Sequence, residues 1–411
     1  VYDLVVNGGG TLVLDFTKPG YLPVQRPVEP PWEAITSVPE ARLTRLDPIA
    51  TEITFGDPAA GIQIARGSRI DDGDGARRAT VLFPPGVGAE LVYPDGRRER
   101  AEQLTIRATE YTVGPGGPAA MPGELPVASG YTYAVELGAD EAIAAGAGRI
   151  DFDRPLALYV ENFLGFPVGT PVPVGWYDRE RAVWVPSDDG LVIAILTPDT
   201  QGRARVDLDG SGTPATADEL AVLGIDDAER ARLAGLYAPG TELWRSPITH
   251  FTPWDCNWPW TIDSEDPRRP AEPPEREDEP PEDEDEACGS RIGTSGGWVA
   301  ESIPVPGTGL RLNYDSRTSA AFRGGSRIHV PLTGANPPPG LRGVTVSLSA
   351  GGQQITQRHG AGAGQALSFP WGGRDAYGRP LQAPVTGSVK VCYLYGMRRL
   401  APGESLAAAL G

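Results

Sequence analysis

The chain alternates short apolar runs with polar positions, and proline or glycine interrupts the pattern throughout. In YDLVVNGGGTLVLDF (2–16) two alternating runs flank Asn7 and three glycines, which predicts a β-hairpin across that turn. The stretch ATVLFPPGVGAELVYPDGRRERAEQLTIRATEYTV (79–113) reads as three strands separated by a Pro-Gly turn and a Pro-Asp-Gly turn. It leads into YTYAVEL, RIDFDRPLALYVEN and VPVGWYDRERAVWVPSDDGLVIAIL, where Val174, Trp176, Val183 and Val185 take the inward positions. Strands that follow one another without intervening helices predict antiparallel meanders packed as sandwiches. One segment changes period. In IDDAERARLAGLY (225–237) Asp226 stands as N-cap with Glu229 three residues later, and Ile225, Leu233 and Leu236 share a helical face.

Composition sharpens this picture. Glycine (53) and proline (42) together approach a quarter of the 411 residues, too many for long helices, and the length calls for two to four domains. No apolar run reaches the roughly 18 residues of a membrane helix, so membrane insertion is not expected. A net charge of −18 disfavours nucleic acid and anionic membrane surfaces as partners. That charge is uneven: DSEDPRRPAEPPEREDEPPEDEDE (263–286) holds 13 acids and 3 arginines, a net −10, which leaves −8 for the rest. Its prolines and like charges predict an extended, solvated excursion. Cys256 and Cys288 flank it, whereas Cys392 sits in the apolar run VKVCYLY. A Cys256–Cys288 disulfide would clip the excursion at its base and stabilise the fold by about 3–4 kcal/mol. Three reduced thiols are the alternative in a reducing compartment. The chain opens on Val1 without a charged and apolar leader, and is expected to be part of something longer.

Candidate chemistry concentrates in DLDGSGTPATADEL (207–220). A calcium loop needs oxygens at positions 1, 3, 5, 7 and 12 and a glycine at 6 for the sharp turn. Asp207, Asp209, Ser211, the carbonyl of Thr213 and Asp218 fill those positions, with Gly212 at the turn. The position-12 Asp is similar to that of dockerin loops; Ala215 supplies no ligand and Pro214 stiffens the loop. Ca2+ is the cofactor this spacing implies, at a dissociation constant on the order of 0.1–1 mM, and an acidic turn with Asp218 capping a helix is the alternative. Catalytic constellations are scarce: His250, His329 and His359 have no zinc spacing, and no GxxxxGK loop occurs. SPITHFTPWD resembles the His-Phe-Ser step at which some ZU-type sandwich domains cleave their own backbone. The resemblance implies His250 as base and Thr252 as nucleophile; otherwise Phe251 is a core residue of a last strand.

Three further stretches carry a resemblance of wider reach. Residues 2–32, YDLVVNGGGTLVLDFTKPGYLPVQRPVEPPW, are similar to the end of the transthyretin-like domain of teneurins. SIPVPGTGLRLNYDSRTS (302–319) and LSFPWGGRDAYGRPLQAPVTGSVKVCYLYG (367–396) look like the plug domain before the YD shell of teneurins and bacterial Rhs proteins. Trp371, Asp375, Tyr377 and Gly378 follow the plug pattern; Gly372 replaces its usual aspartate. The resemblance implies a transthyretin-like end (1–50), a ZU-like sandwich (51–260) with the calcium loop and short helices inserted (207–237), the acidic excursion (261–287) and a fibronectin-like plug sandwich (288–411). The expected fold class is thus mainly β, several β-sandwich domains in tandem with one short helical calcium-loop insertion. Trp298, Leu310, Leu312, Tyr314, Phe322, Leu348, Phe369 and Trp371 are candidates for the plug core or a shell-facing surface, most of them for the core. The implied function is non-catalytic: bracing and sealing the protein's own YD-repeat shell, which in bacterial members often encloses a toxin cargo, in a secreted or cell-surface protein. A cell-surface adhesion module with a protein partner and a self-cleaving domain are the other two classes.

Overall fold

The computed structural model describes residues 4–30, 36–126, 129–258, 260–262, 290–293, 298–316, 327–370, 372–380, 385 and 387–399. They are mainly β, with three short α-helices. Two compact units result. One is built mainly from Thr11–Val28 and Val38–Thr261, the other from Val1–Gly10, Glu29–Ser37 and Ile262–Arg398.

The first unit begins with β1 (Leu12–Phe16), β2 (Val24–Val28), β3 (Thr51–Thr54), β4 (Gln63–Arg66), β5 (Ile70–Asp72), β6 (Gly75–Arg77), β7 (Thr80–Phe83), β8 (Ala89–Val92) and β9 (Arg98–Ala101). It continues through β10 (Gln103–Glu110), β11 (Ala134–Ala139), α1 (Asp140–Ala145), β12 (Arg149–Glu161), β13 (Pro171–Val172), β14 (Gly175–Asp178) and β15 (Val183–Pro186). Then come β16 (Gly190–Leu196), β17 (Arg205–Asp207), α2 (Ala217–Val222), α3 (Asp227–Leu236), β18 (Glu242–Phe251) and β19 (Pro253–Asp255). One sheet has the order β15-β14-β19-β11-β10-β3; the other runs β13-β16-β18-β12-β7-β4, with β17 on β16 and the β8–β9 pair on β12. Strand β12 serves two neighbours because its register shifts between Asp151 and Leu156: its first part pairs with β8 and its later part with β7.

The sheets enclose a core that includes Ile53, Phe83, Ile106, Tyr133, Trp244 and Trp254. Phe152 meets Phe251 edge-on at 4.8 Å, a geometry worth about 0.5–1.5 kcal/mol beyond its buried area. A second core lies on the outer face of the β12 sheet, where Leu220, Ile225 and Leu233 cover Leu82, Tyr159 and Ile193. The helices that supply it start where their caps direct. The Asp226 carboxylate accepts the Glu229 N–H at 2.7 Å, and Thr216 and Glu219 form a reciprocal capping box on α2. Asp226, Ile225 and Leu233 act as their sequence pattern predicts, with Leu236 at the cluster's edge. Glu229 does not reach back to its cap. It turns inward to Arg245, because a buried guanidinium is the stronger demand.

Two local expectations are overturned. The hairpin predicted over 2–16 does not form among the described residues: β1 pairs with β2, Leu12 opposite Val28, across the turn in which the Tyr21 N–H donates to Lys18 O. Burial of Val24 on that return strand and of Leu22 just before it outweighs the local glycine signal. Along β14 and β15 the inward set is right in register, Trp176 opposite Val185 and Asp178 opposite Val183, but Val183 at the hairpin tip is 40% exposed. The opposite face, Tyr177 and Trp184, is covered as well, so the hairpin is not one-sided. Residues 11–28 and 38–50 pack within the sandwich unit, not apart from it.

In the second unit, β20 (Trp260–Ile262) having ended the preceding stretch, the strands are β21 (Ser290–Gly293), β22 (Trp298–Pro304), β23 (Arg311–Asp315), β24 (Arg327–Pro331), β25 (Leu341–Ala350), β26 (Gln353–His359), β27 (Ala366–Pro370) and β28 (Gly387–Tyr395). Sheets β26-β25-β28 and β24-β27 share a core of Val330, Leu332, Val344, Val346, Leu348 and Phe369; β21-β22-β23 form a third sheet. Leu348 and Phe369 are core residues as expected. Leu310, Leu312 and Tyr314 are exposed instead, because they line one side of the β22–β23 hairpin, on which Ile303 stands opposite Leu312. The Trp298 side chain, Phe322 and Trp371 lie outside the described residues.

Candidate functional site

The strongest constructed feature is where the N-terminal arm locks onto the outer face of the β10–β11 sheet. Leu22 packs against Tyr111, Met121 and Ala134. The Leu22 N–H donates to Thr44 O (2.8 Å) and the Gln25 N–H to Pro122 O (2.7 Å). Arg26, 2% exposed, donates to the carbonyls of Ala119 (2.7 Å), Met121 (3.1 Å) and Glu40 (3.1 Å). Burial pulls its pKa below the usual guanidinium range, and Glu124 restores only part of it. A second clamp comes from the sandwich. Arg179 donates to Glu136 (2.6 Å), to the Tyr111 hydroxyl (3.2 Å) and to the arm's Pro23 carbonyl (3.3 Å).

His250 and Thr252 come together where the chain passes from one sheet to the other, β18 ending at Phe251 and β19 starting at Pro253. Phe251 is core, which places its two neighbours on one side, His250 Nδ1 and Thr252 Oγ1 3.2 Å apart. Desolvation first and Arg149 second push His250 down to about 4, so its imidazole is neutral at pH 7. The ring is wedged between Trp176, edge-on at 4.7 Å, and Trp254, tilted at 4.9 Å. It faces a cleft of about 710 Å³ whose other walls include Phe152, Arg98, Arg149 and Asp151. Sequence spacing could not announce this cleft, since its residues come from β8, β9, β12, β14 and β18.

In the acidic loop the Asp207 carboxylate accepts N–H groups from Asp209 (3.1 Å), Gly210 (2.9 Å) and Gly212 (2.7 Å). Asp209 accepts from the Ser211 N–H (2.9 Å), and the Ser211 hydroxyl from the Thr213 N–H (3.2 Å). Gly212 has φ +74°, the left-handed turn that the spacing requires. Asp218 lies in the first turn of α2, whose cap is Thr216. Among the described residues no three acidic, histidine or cysteine side chains gather at metal-holding distance. The loop thus has the ligand order, and amide hydrogen bonds hold it in this form.

Asp375 organises its turn in the second unit. Its carboxylate accepts the N–H groups of Tyr377 and Arg379 (both 2.9 Å) and the Arg379 Nε–H (2.6 Å), while Gly378 takes φ +78°. Tyr377 is half exposed under the Arg379 guanidinium, 4.7 Å from its ring. Trp371 and Cys288 lie outside the described residues. Cys256 is buried in the sandwich core and has no disulfide partner among the described residues, its pKa raised by desolvation first and by Asp255 second.

Residues 1–43 match the teneurin TTR-like domain family. No curated protein matches the chain.

Proposed function

We propose that this chain is a non-catalytic bracing region of an extracellular or cell-surface teneurin-like protein. The observation that carries this is the arm: the segment matching the teneurin TTR-like family supplies Leu22 and Arg26, which are sealed against the sandwich. Two apolar faces of one sandwich are covered, one by this arm and one by α2 and α3, a design that resists deformation. No helix among the described residues is long and apolar enough to cross a membrane. The finer reading is that the second unit closes a shell of YD repeats, as the plug does in teneurins and Rhs proteins, with toxin cargo in the bacterial forms. The Asp375 turn supports it.

Arg26→Met tests the brace. The loss is capped at the free energy of releasing the arm, because freed carbonyls regain water; about 2 kcal/mol is expected, or roughly thirtyfold more opening. Limited proteolysis should then cut within 17–46 before the sandwich unfolds. Cleavage at the wild-type rate would remove the arm from this role.

Calcium belongs to the proposal through the loop spacing. At 10 mM Ca2+ a site of the expected strength stabilises by about 2 kcal/mol, which raises the Tm by roughly 4–8 °C over a chelated sample. Asp209→Ala, which leaves the Asp207 hydrogen bonds intact, should abolish the shift. An unchanged Tm in the wild type rejects the ion.

One observation favours a second reading, the 3.2 Å approach of His250 to Thr252. Self-cleavage would have the Thr252 hydroxyl add to the Phe251 carbonyl, with its proton passing through the imidazole to the released amine and water then opening the ester. Intact mass decides: the bracing reading expects a single species of 43.5 kDa. Two fragments divided after Phe251 would replace it. Alkylation before and after reduction, in the same measurement, shows whether Cys256 is joined to Cys288.

A further inference from the structure

We propose that the cleft beside His250 binds a neutral saccharide, with Trp176 as the stacking platform. The geometry of the cleft carries this independently of the bracing role. Trp176 is half-buried on β14 and forms one wall of a cavity of about 710 Å³, within the range of small-molecule sites. His250 fixes it from the edge and is itself backed by Trp254, so the indole is held rigid before any ligand arrives. A rigid flat ring lining the cleft costs little entropy to use, and it suits the flat C–H face of a pyranose better than a flexible peptide.

The polar walls select the same chemistry. Arg98 joins Glu90 (3.0 Å) and Asp151 (2.8 Å), and Arg149 holds Asp151 (2.8 Å). Each of these groups is partly exposed, so its remaining lone pairs or N–H groups are available to hydroxyls while its partner holds it in place. Arg100 and Asp153 complete the set. Three guanidinium groups offset three carboxylates, and His250 is neutral at pH 7. A balanced wall rewards neither a polyanion nor a cation, and its many charged groups reject a lipid. What remains is a neutral ligand with a dense array of hydroxyls and one apolar face.

The test uses the full chain with maltotriose, cellotriose and chitotriose, and a heparin-derived tetrasaccharide as the anionic comparison. Saturation-transfer NMR and titration calorimetry should show at least one neutral trisaccharide binding with millimolar or better affinity, and the signal should be largest on ring protons. Trp176→Ala should weaken it at least tenfold. Arg100→Ala changes an exposed side chain that makes no ion pair among the described residues, so it should keep the wild-type Tm; it should weaken binding several-fold, and this keeps the test valid should the tryptophan variant fail to fold. The proposal is overturned if no neutral sugar binds at 10 mM, if only the heparin fragment binds, or if both variants bind as the wild type does.

Discussion

Arg77→Met is expected to lower the stability of the sandwich unit by about 3–5 kcal/mol, the cost of breaking a buried ion pair from one side. Arg77 is 1% exposed and holds two acids at once: Asp72 through two N–H groups (2.8 and 3.0 Å), and Glu110 through Nε (2.8 Å). It also donates to Thr112 O (3.2 Å) and lies over the Phe163 ring. Methionine keeps that ring contact, so the loss isolates the charge and its donors. Glu110 is left behind. Burial raises its pKa, with Arg77 the main force pulling it back, and without Arg77 the carboxylate must stay charged in the core or retain a proton. The variant's deficit therefore grows with pH: the folded state would hold the Glu110 proton that the unfolded chain releases near pH 4. Denaturant unfolding at pH 5 and pH 8 checks both size and sign. Adding Glu110→Gln should recover more than 1 kcal/mol at pH 8, since it removes the orphaned charge. A loss below 1 kcal/mol in the single variant would mean that water reaches this site and the pair is ornamental.

The same residues mark the limit of what the sequence discloses. Period-two patterning located the meander, Asp226 the start of α3 and Phe251 a core position, because each depends on neighbours in the chain. Arg26, Arg77 and Arg245 occupy positions that a one-sided sheet would give to solvent. Each is buried by segments far away in sequence, Arg26 against residues 119–121, Arg77 against Glu110 and Phe163, and Arg245 under α3, and polar groups caught there need partners. Glu229 looked like half of a capping box for the same reason: nothing local reveals that Arg245 waits across 16 residues. The hairpin predicted over 2–16 failed in the opposite direction, a strong local turn signal overruled by a distant burial. The acidic loop falls between these cases, its ligand order legible and its hydrogen bonding dependent on the fold.

Asp255→Asn is expected to flatten a pH dependence that the wild type carries between pH 4 and pH 7. Asp255 lies where β19 pairs with β14 and β11, 7% exposed, with no cation among its partners; Asn257 donates to it at 2.8 Å, as does the Gly175 N–H. Desolvation dominates and pushes the carboxyl up to about 7. The folded protein thus keeps this proton over a range in which the unfolded chain, near 3.9, has lost it. Stability is accordingly favoured at low pH and declines as pH rises from about 4, at about 1.4 kcal/mol per pH unit, until the folded group ionises near 7. The accumulated penalty is about 4 kcal/mol. Other carboxylates titrate in the opposite sense, Asp199 lowered to about 2 by its bonds to Arg203 among them, so the quantity to measure is the difference between wild type and variant at each pH. Asparagine cannot ionise, but its amide nitrogen replaces one of two acceptor oxygens, and Asn257 cannot turn to compensate because its own oxygen holds the N–H groups of Thr132 and Tyr133. Below pH 4 the variant should therefore be the less stable by about 1–2 kcal/mol, and above pH 7 the more stable by about 2–3 kcal/mol. A difference curve without that crossing would show that Asp255 is solvated and ionised at neutral pH, and that the seam between β14 and β19 is open to water.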